Sequence, residues 1–195
     1  MKKKKAKRYI VFNKPYGVLS QFTDKEGRPT LKDYIKIPDV YAAGRLDMDS
    51  EGLLFLTDDG PMNHALSDPN MKQPKTYLAQ VEGIPNKRMI KELEEGVLLG
   101  RYKTLPAKVA TLEKDPEIWK RPKPIRFRKT VPTSWMLVTI IEGKNRQVKK
   151  MTAKVGLPCL RLIRTSIGLI DLEDLLPGQY REIERPDIKE FKKHA

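Results

Sequence analysis

Arg45 and Asp47 stand two residues apart in a loop whose residue types suit catalysis. Ala42-Ala43-Gly44 precede them, small residues that let the backbone approach a partner closely. Met48-Asp49-Ser50-Glu51-Gly52 follow, then Leu53-Leu54-Phe55-Leu56-Thr57, closed by Asp58-Asp59-Gly60. The apolar run reads as a buried strand ending in a tight turn. A carboxylate on a loop held by such a strand can act as acid, base or nucleophile, and the nearby arginine can meet substrate. The same residues admit two other readings. One is a solvated acidic turn. The other is a calcium loop, since Asp47, Asp49, Glu51 and Gly52 fall on positions 1, 3, 5 and 6 of that pattern and Asp58 on position 12. Position 12 calls for a bidentate Glu and the flanks for helices, and this sequence supplies neither.

Composition narrows the function classes. A chain of 195 residues can bury a substantial core as one domain or two small lobes. A formal net charge of +14 points to a polyanionic partner, nucleic acid before others. The cations gather at Lys2 to Arg8, Lys120 to Lys129 and Lys144 to Lys154. Such clusters bind phosphates with strong salt dependence and little sequence selectivity. No apolar run approaches membrane-spanning length, so no membrane partner is expected. The basic N-terminus lacks the apolar segment of a secretory signal. Cys159 is the only cysteine, which excludes an intrachain disulfide and zinc-site patterns and fits a reducing cytoplasm. His64 and His194 are too few for a multi-histidine metal site.

The remaining elements must position the loop. Lys2 to Lys7 reads as a disordered basic arm. Tyr9-Ile10-Val11-Phe12 is a strand, and Asn13-Lys14-Pro15-Tyr16-Gly17 a turn fixed by Pro and Gly. A helical turn is expected at 31–35 and a short helix at Pro61 to Leu66, with His64 at its surface. Lys75 to Val81 alternates as a strand, Tyr77, Ala79 and Val81 sharing one face. Asn86 caps a helix that Gly96 stops, with Met89, Ile90, Leu93 and Val97 at helical spacing. Ala107 to Leu112 is a strand. From Asp115 to Thr130 the chain is irregular, Trp119 lying among cations. This loop either grips RNA by phosphate contact and stacking or packs its Trp on the domain. Trp135 to Ile141 is a strand, and Arg146 to Val155 a helix with Val148, Met151 and Val155 inward and Lys150 and Lys154 on another face. There is no P-loop and no internal repeat.

Gly44-Arg45-Leu46-Asp47 with Gly52-Leu53-Leu54-Phe55-Leu56-Thr57-Asp58-Asp59-Gly60 resembles the catalytic motif of the RsuA family of bacterial pseudouridine synthases. The resemblance recurs along nearly the whole chain. Lys14-Pro15-Tyr16-Gly17 is similar to the turn that opens the family's catalytic domain. Lys75-Thr76-Tyr77 resembles its second motif and Glu142 to Met151 its third, while Leu160 to Arg164, Ile167-Gly168 and Leu172 to Arg181 resemble its closing strands. The family implies an α+β fold, a mixed, largely antiparallel sheet in two lobes with the active-site cleft between them. The expected layout is a basic arm at 1–8, a catalytic domain at 9–186 and a charged tail at 187–195. Only the arm precedes the catalytic domain. That layout resembles members without an additional small RNA-binding domain and points to 23S rRNA as substrate.

The reaction breaks the N1–C1′ bond of uridine, turns the base and joins C5 to C1′. It involves neither redox change nor phosphate cleavage, so no cofactor and no metal are expected. The resemblance implies that Asp47 is the carboxylate beside C1′, that Lys149 pairs with it, and that Tyr77 stacks on the base and helps remove the C5 proton. Leu162 matches the apolar residue packed near the site. The uridine must leave its stack to reach Asp47, and Arg45 either fills the gap or serves phosphate or structural pairing. Arg146, Lys144 and Lys150 would position the RNA backbone. A cytoplasmic monomer acting on RNA is expected.

Overall fold

The computed structural model describes residues 6–126 and 128–187. Most of the basic arm, at 1–5, and the tail at 188–195 lie outside the described residues. Strands β1 (Tyr9–Lys14), β2 (Tyr41–Ala42) and β3 (Glu51–Thr57) precede helix α1 (Gly60–Ser67). Strand β4 (Lys75–Glu82), helix α2 (Lys87–Glu95) and the short strands β5 (Leu98–Leu99), β6 (Tyr102–Lys103) and β7 (Lys108–Thr111) follow. Strand β8 (Thr133–Ile140), helix α3 (Gln147–Lys154) and strands β9 (Cys159–Ile167), β10 (Ile170–Asp171) and β11 (Tyr180–Glu182) complete the chain.

One sheet runs in the order β11-β1-β3-β9-β4-β8-β7, with β10 on β9 and β2 on β3. Among the named strands every pairing is antiparallel except β3 with β9. That parallel seam consists of Glu51 opposite Ile163 and Gly52 opposite Arg164. It joins two lobes with separate cores.

In the left lobe β3 is buried along its whole length. Its apolar run is continuous because both faces are covered. Leu53 and Phe55 pack with Met62 and Leu66 of α1, and Leu54 and Leu56 pack with Leu31, Ile35 and Val40. Asp59 caps α1, its carboxylate accepting from the Met62 N–H. In the right lobe Tyr77, Ala79 and Val81 face a core shared with Leu93 of α2 and with Val148, Met151 and Val155 around α3. Asn86 caps α2 and Gly96 stops it, as its sequence predicts.

The two-lobed α+β architecture agrees with the sequence reading; two local differences have physical causes, and one open alternative is decided. Lys7 and Arg8 do not belong to a free arm. The Lys7 ammonium donates to the Asp58 carbonyl at 2.8 Å and the Arg8 N–H to the Asp58 carboxylate at 2.8 Å. Strand β3 begins two residues before the apolar run, at Glu51, because β9 pairs with its start. The Trp119 loop takes the packed reading: its indole N–H donates to Glu51 Oε1 at 2.8 Å. No helix among the described residues is long and apolar enough to cross a membrane.

Candidate active site

The loop before β3 crosses from the left lobe to the right. Leu46 plugs into the right-lobe core. Its backbone is held at both ends by one hydroxyl: Ser20 Oγ accepts from the Leu46 N–H at 3.0 Å and donates to the Leu46 carbonyl at 2.8 Å. The Gly17 N–H donates to the Met48 carbonyl at 2.8 Å, and the Ser50 N–H to the Asp47 carbonyl at 3.0 Å. Anchoring Leu46 inward leaves Arg45 and Asp47 at the cleft.

The cleft has a volume of about 430 Å³ and brings together Arg45, Asp47, Tyr77, Lys144, Arg146 and Leu162. Tyr77 stands on β4 and Leu162 on the neighbouring β9, both buried. The turn before α3 supplies the cations. Gln147 organises that turn, its Oε1 accepting from the N–H groups of Gly143 at 3.2 Å and Lys144 at 3.0 Å. From below, the buried Lys75 ammonium donates to the carbonyls of Gln73 at 3.0 Å and Glu142 at 3.2 Å. Burial, with Arg164 acting in the same direction, brings Lys75 down to about 8.

The expected pairing of Lys149 with Asp47 is corrected by the geometry. Lys149 Nζ lies 2.7 Å from Asp49 Oδ1 and also donates to the Asp49 carbonyl at 3.3 Å. Arg146 is the cation that reaches Asp47, at 3.4 Å from Oδ2, while its guanidinium clasps Asp49 through both oxygens at 3.0 and 3.1 Å. The cause is backbone shape. Arg146 sits before α3 with φ 52° and ψ 33°, a left-handed conformation that costs a non-glycine residue about 1–2 kcal/mol. It turns the side chain out over the loop, whereas Lys149, on the first turn of α3, meets Asp49. Burial would lift the Asp49 carboxyl, but hydrogen bonds from Arg146 and Lys149 prevail and hold it at about 2.

Two other expected RNA contacts have protein partners. Lys144 Nζ lies 3.8 Å from the centre of the Tyr102 ring and 3.5 Å from Glu142, which leaves it at the cleft rim. Lys150 donates to Asn145 Oδ1 at 3.2 Å and lies off the cleft lining. The calcium reading loses a ligand, because Glu51 turns away from the loop. Its carboxylate accepts from Arg161 Nε at 2.8 Å and Nη2 at 2.9 Å as well as from Trp119.

Lys14, fully buried, completes the support of the loop. Its ammonium donates to the carbonyls of Pro15 at 2.8 Å and Val18 at 2.7 Å, holding the turn that backs Met48. Burial pulls it down to about 7 from an ordinary 10.5, with Glu51 and Asp49 opposing and Lys149 assisting. The folded protein thus sheds this proton near pH 7, while the unfolded chain keeps it to about 10.5. Stability from this group is full above the unfolded value, declines as pH falls, and is exhausted below about 7. Urea unfolding of the protein and of Lys14→Met, from about pH 6.5 to about 9.5, is expected to show a wild-type margin that widens as pH rises. A margin that stays constant or narrows would contradict this account.

The sequence reading missed Asp49, Glu51, Arg161 and Ser20. For Asp49 a signal existed. Two carboxylates at 47 and 49 answer two cations at 146 and 149, and cations three apart at a helix start share a face. For Ser20 and Arg161 no local signal existed.

An acidic loop fixed across two lobes, a buried tyrosine and an arginine turned onto the loop thus meet in one cleft. Residues 8–154 match the family described as RNA pseudouridylate synthase, and the chain belongs to that family. It therefore isomerises uridine to pseudouridine in RNA. It is 53% identical over 180 residues to the ribosomal large subunit pseudouridine synthase E of Vibrio vulnificus, covering 92% of this chain and 76% of the relative. Identity to the protein of the same name from Xanthomonas campestris pv. campestris is 57% over 174 residues, 88% of this chain and 93% of the relative. The crystal structure of a pseudouridylate synthase superposes with a TM-score of 0.77 at 29% identity, covering 95% of this chain and 74% of that one. A chain of an H/ACA RNP bound to a substrate RNA shares the fold at a TM-score of 0.60 and 16% identity, over 87% of this chain and 50% of that one.

Proposed function

We propose that the substrate is 23S ribosomal RNA, that one of its uridines is the target, and that Asp47 is the reacting carboxylate. One observation carries the assignment of the site. Three stretches far apart in sequence, around Asp47, Tyr77 and Arg146, meet in a single basic cleft. The printed names of the relatives at 53% and 57% identity support the large-subunit substrate.

In this reading the target uridine leaves its stack and enters the cleft over Tyr77, with Leu162 packing beside the ring. Asp47 meets C1′ as the N1–C1′ bond breaks. The base turns within the cleft, C5 joins C1′, and the C5 proton leaves with help from Tyr77 while N1 gains one. Arg146 positions Asp47 and receives the RNA backbone at the cleft mouth. Lys149 acts one step back, by fixing Asp49 and through it Arg146. Arg45, exposed beside Asp47, fills the gap left by the uridine, and Lys144 and Lys150 contact backbone phosphates. The protein works in this reading as a cytoplasmic monomer.

Pseudouridine mapping on unmodified 23S RNA and on total cellular RNA, incubated with the protein, tests the substrate. One new pseudouridine in 23S RNA is expected. Modification confined to tRNA or another RNA would overturn the substrate assignment, and tight RNA binding with no isomerisation in any RNA would overturn the catalytic one.

A further inference from the structure

A second hollow adjoins the cleft, with a volume of about 320 Å³. Tyr16, Gly17, Asp47, Met48, Asp49 and Arg146 line it, so it shares Asp47, Met48 and Arg146 with the cleft. Two side chains outside the hydrophobic clusters face it, Met48 and Tyr16. Met48 is 37% exposed, and neither Met48 nor Tyr16 joins any hydrophobic cluster among the described residues. Gly17 leaves the wall open, since a Cβ there would meet nothing within 4 Å, and its N–H ties the Tyr16 turn to the Met48 carbonyl at 2.8 Å.

The hollow's lining sets Arg146 against Asp47 and Asp49, and a further cation stands at its edge. The Arg121 guanidinium lies 4.4 Å from the centre of the Tyr16 ring, and its Nη1 donates to the Leu160 carbonyl at 3.5 Å. Arg121 thereby brings one cation of the 120–129 cluster to the Tyr16 ring. An aromatic ring with a guanidinium on it is a platform for a nucleobase, because every base offers a π-face and stacking needs no particular base edge. A thioether adapts to such a flat surface. Phosphates on either side of that base would meet Arg146 at the shared wall and Arg121 beside Tyr16.

We propose that this hollow is a binding subsite for the nucleobase next to the target uridine, held against Tyr16 and Met48. The proposal rests on the reading that the cleft receives the target. Two hollows divided by one thin wall suit two neighbouring nucleotides of a strand that has been opened out. The enzyme then holds the uridine by its neighbour while the base is detached from its sugar and turned.

The test uses short RNAs around whichever uridine the mapping identifies, so a substrate outside 23S RNA would sink the substrate assignment and leave this experiment intact. Each RNA lacks the base at one position within two nucleotides of the target. kcat/KM is measured for the wild type, Tyr16→Leu, which keeps apolar bulk, and Tyr16→Phe, which keeps the ring. At one adjacent position the missing base is expected to slow the wild type by about tenfold, the scale of one base stacked on one ring. At that position it should slow Tyr16→Leu little further, while Tyr16→Phe behaves as the wild type. Equal losses from missing bases in the wild type and Tyr16→Leu at every position would overturn the proposal, as would full activity of Tyr16→Leu on the complete RNA.

Discussion

Asp47→Asn is expected to lower the rate of pseudouridine formation by about 10⁴-fold or more, the scale that follows removal of a group meeting the reacting atoms. The substitution is nearly isosteric, and the loop owes its shape to other groups. Ser20 holds Leu46, Gly17 holds Met48, and the Asp47 carbonyl, untouched by the change, accepts from Ser50. An asparagine oxygen still accepts from Arg146, so the cleft keeps its outline. What disappears is the negative charge and the nucleophilic oxygen. Single-turnover conversion of the mapped RNA, read by mass spectrometry, measures the loss, and gel-shift titration of the same RNA should give a Kd within about threefold of the wild type, since a neutral residue removes no cation from the phosphate path. Conversion within tenfold of the wild type would remove Asp47 from the chemistry.

The largest effect on stability is expected at Gly52→Ala. Gly52 has φ +100°, and a Cβ there would lie 2.3 Å from the Arg164 carbonyl oxygen and 2.7 Å from the Arg164 nitrogen. These are backbone atoms of the strand that forms the seam, and they cannot turn aside as a side-chain end can. Backbone strain and overpacking together cost roughly 2–6 kcal/mol, against a total of about 5–15 kcal/mol for an ordinary domain. Gly27→Ala is the control, because φ is +72° there as well but nothing lies within 4 Å. Urea unfolding should place the Gly27 variant within about 2 kcal/mol of the wild type and the Gly52 variant far below it, or show it unfolded outright. Equal losses in the two variants would mean that φ alone, and not the close approach of β9, sets the demand for glycine.

The fold was legible where burial follows a simple period. Tyr77, Ala79 and Val81 share a face because a strand alternates, and Asn86 and Gly96 bound α2 because a helix start takes a side-chain acceptor and its end favours a glycine with positive φ. The family resemblance put Asp47, Tyr77 and Lys149 at one site with Arg146 contacting RNA; Asp47, Tyr77 and Arg146 line the cleft and Lys149 does not. Ion pairing across the cleft was not legible. Whether Lys149 or Arg146 reaches Asp47 depends on the left-handed backbone at Arg146, and a residue other than glycine or asparagine gives no warning of that shape. Glu51 was misread for a related reason. A glutamate in an acidic loop looks solvated, and only Arg161 and Trp119, more than sixty residues further along the chain, turn it inward.

The strand order also sets a timetable. The right lobe draws mainly on a continuous stretch, with β4, α2, β7, β8, α3 and β9 following one another from Lys75 to Ile167 and Leu46 added from the loop. The left lobe does not. Its core needs Ile167, Ile170 and Leu172, and β1 acquires its outer neighbour only when Tyr180–Glu182 arrives. As the chain leaves the ribosome, the half that carries Asp47 is made first and finished last. Every residue lining the cleft, up to Leu162, is made before Tyr180–Glu182 closes the left lobe, so a nascent chain holds the cleft's residues before it holds a finished enzyme.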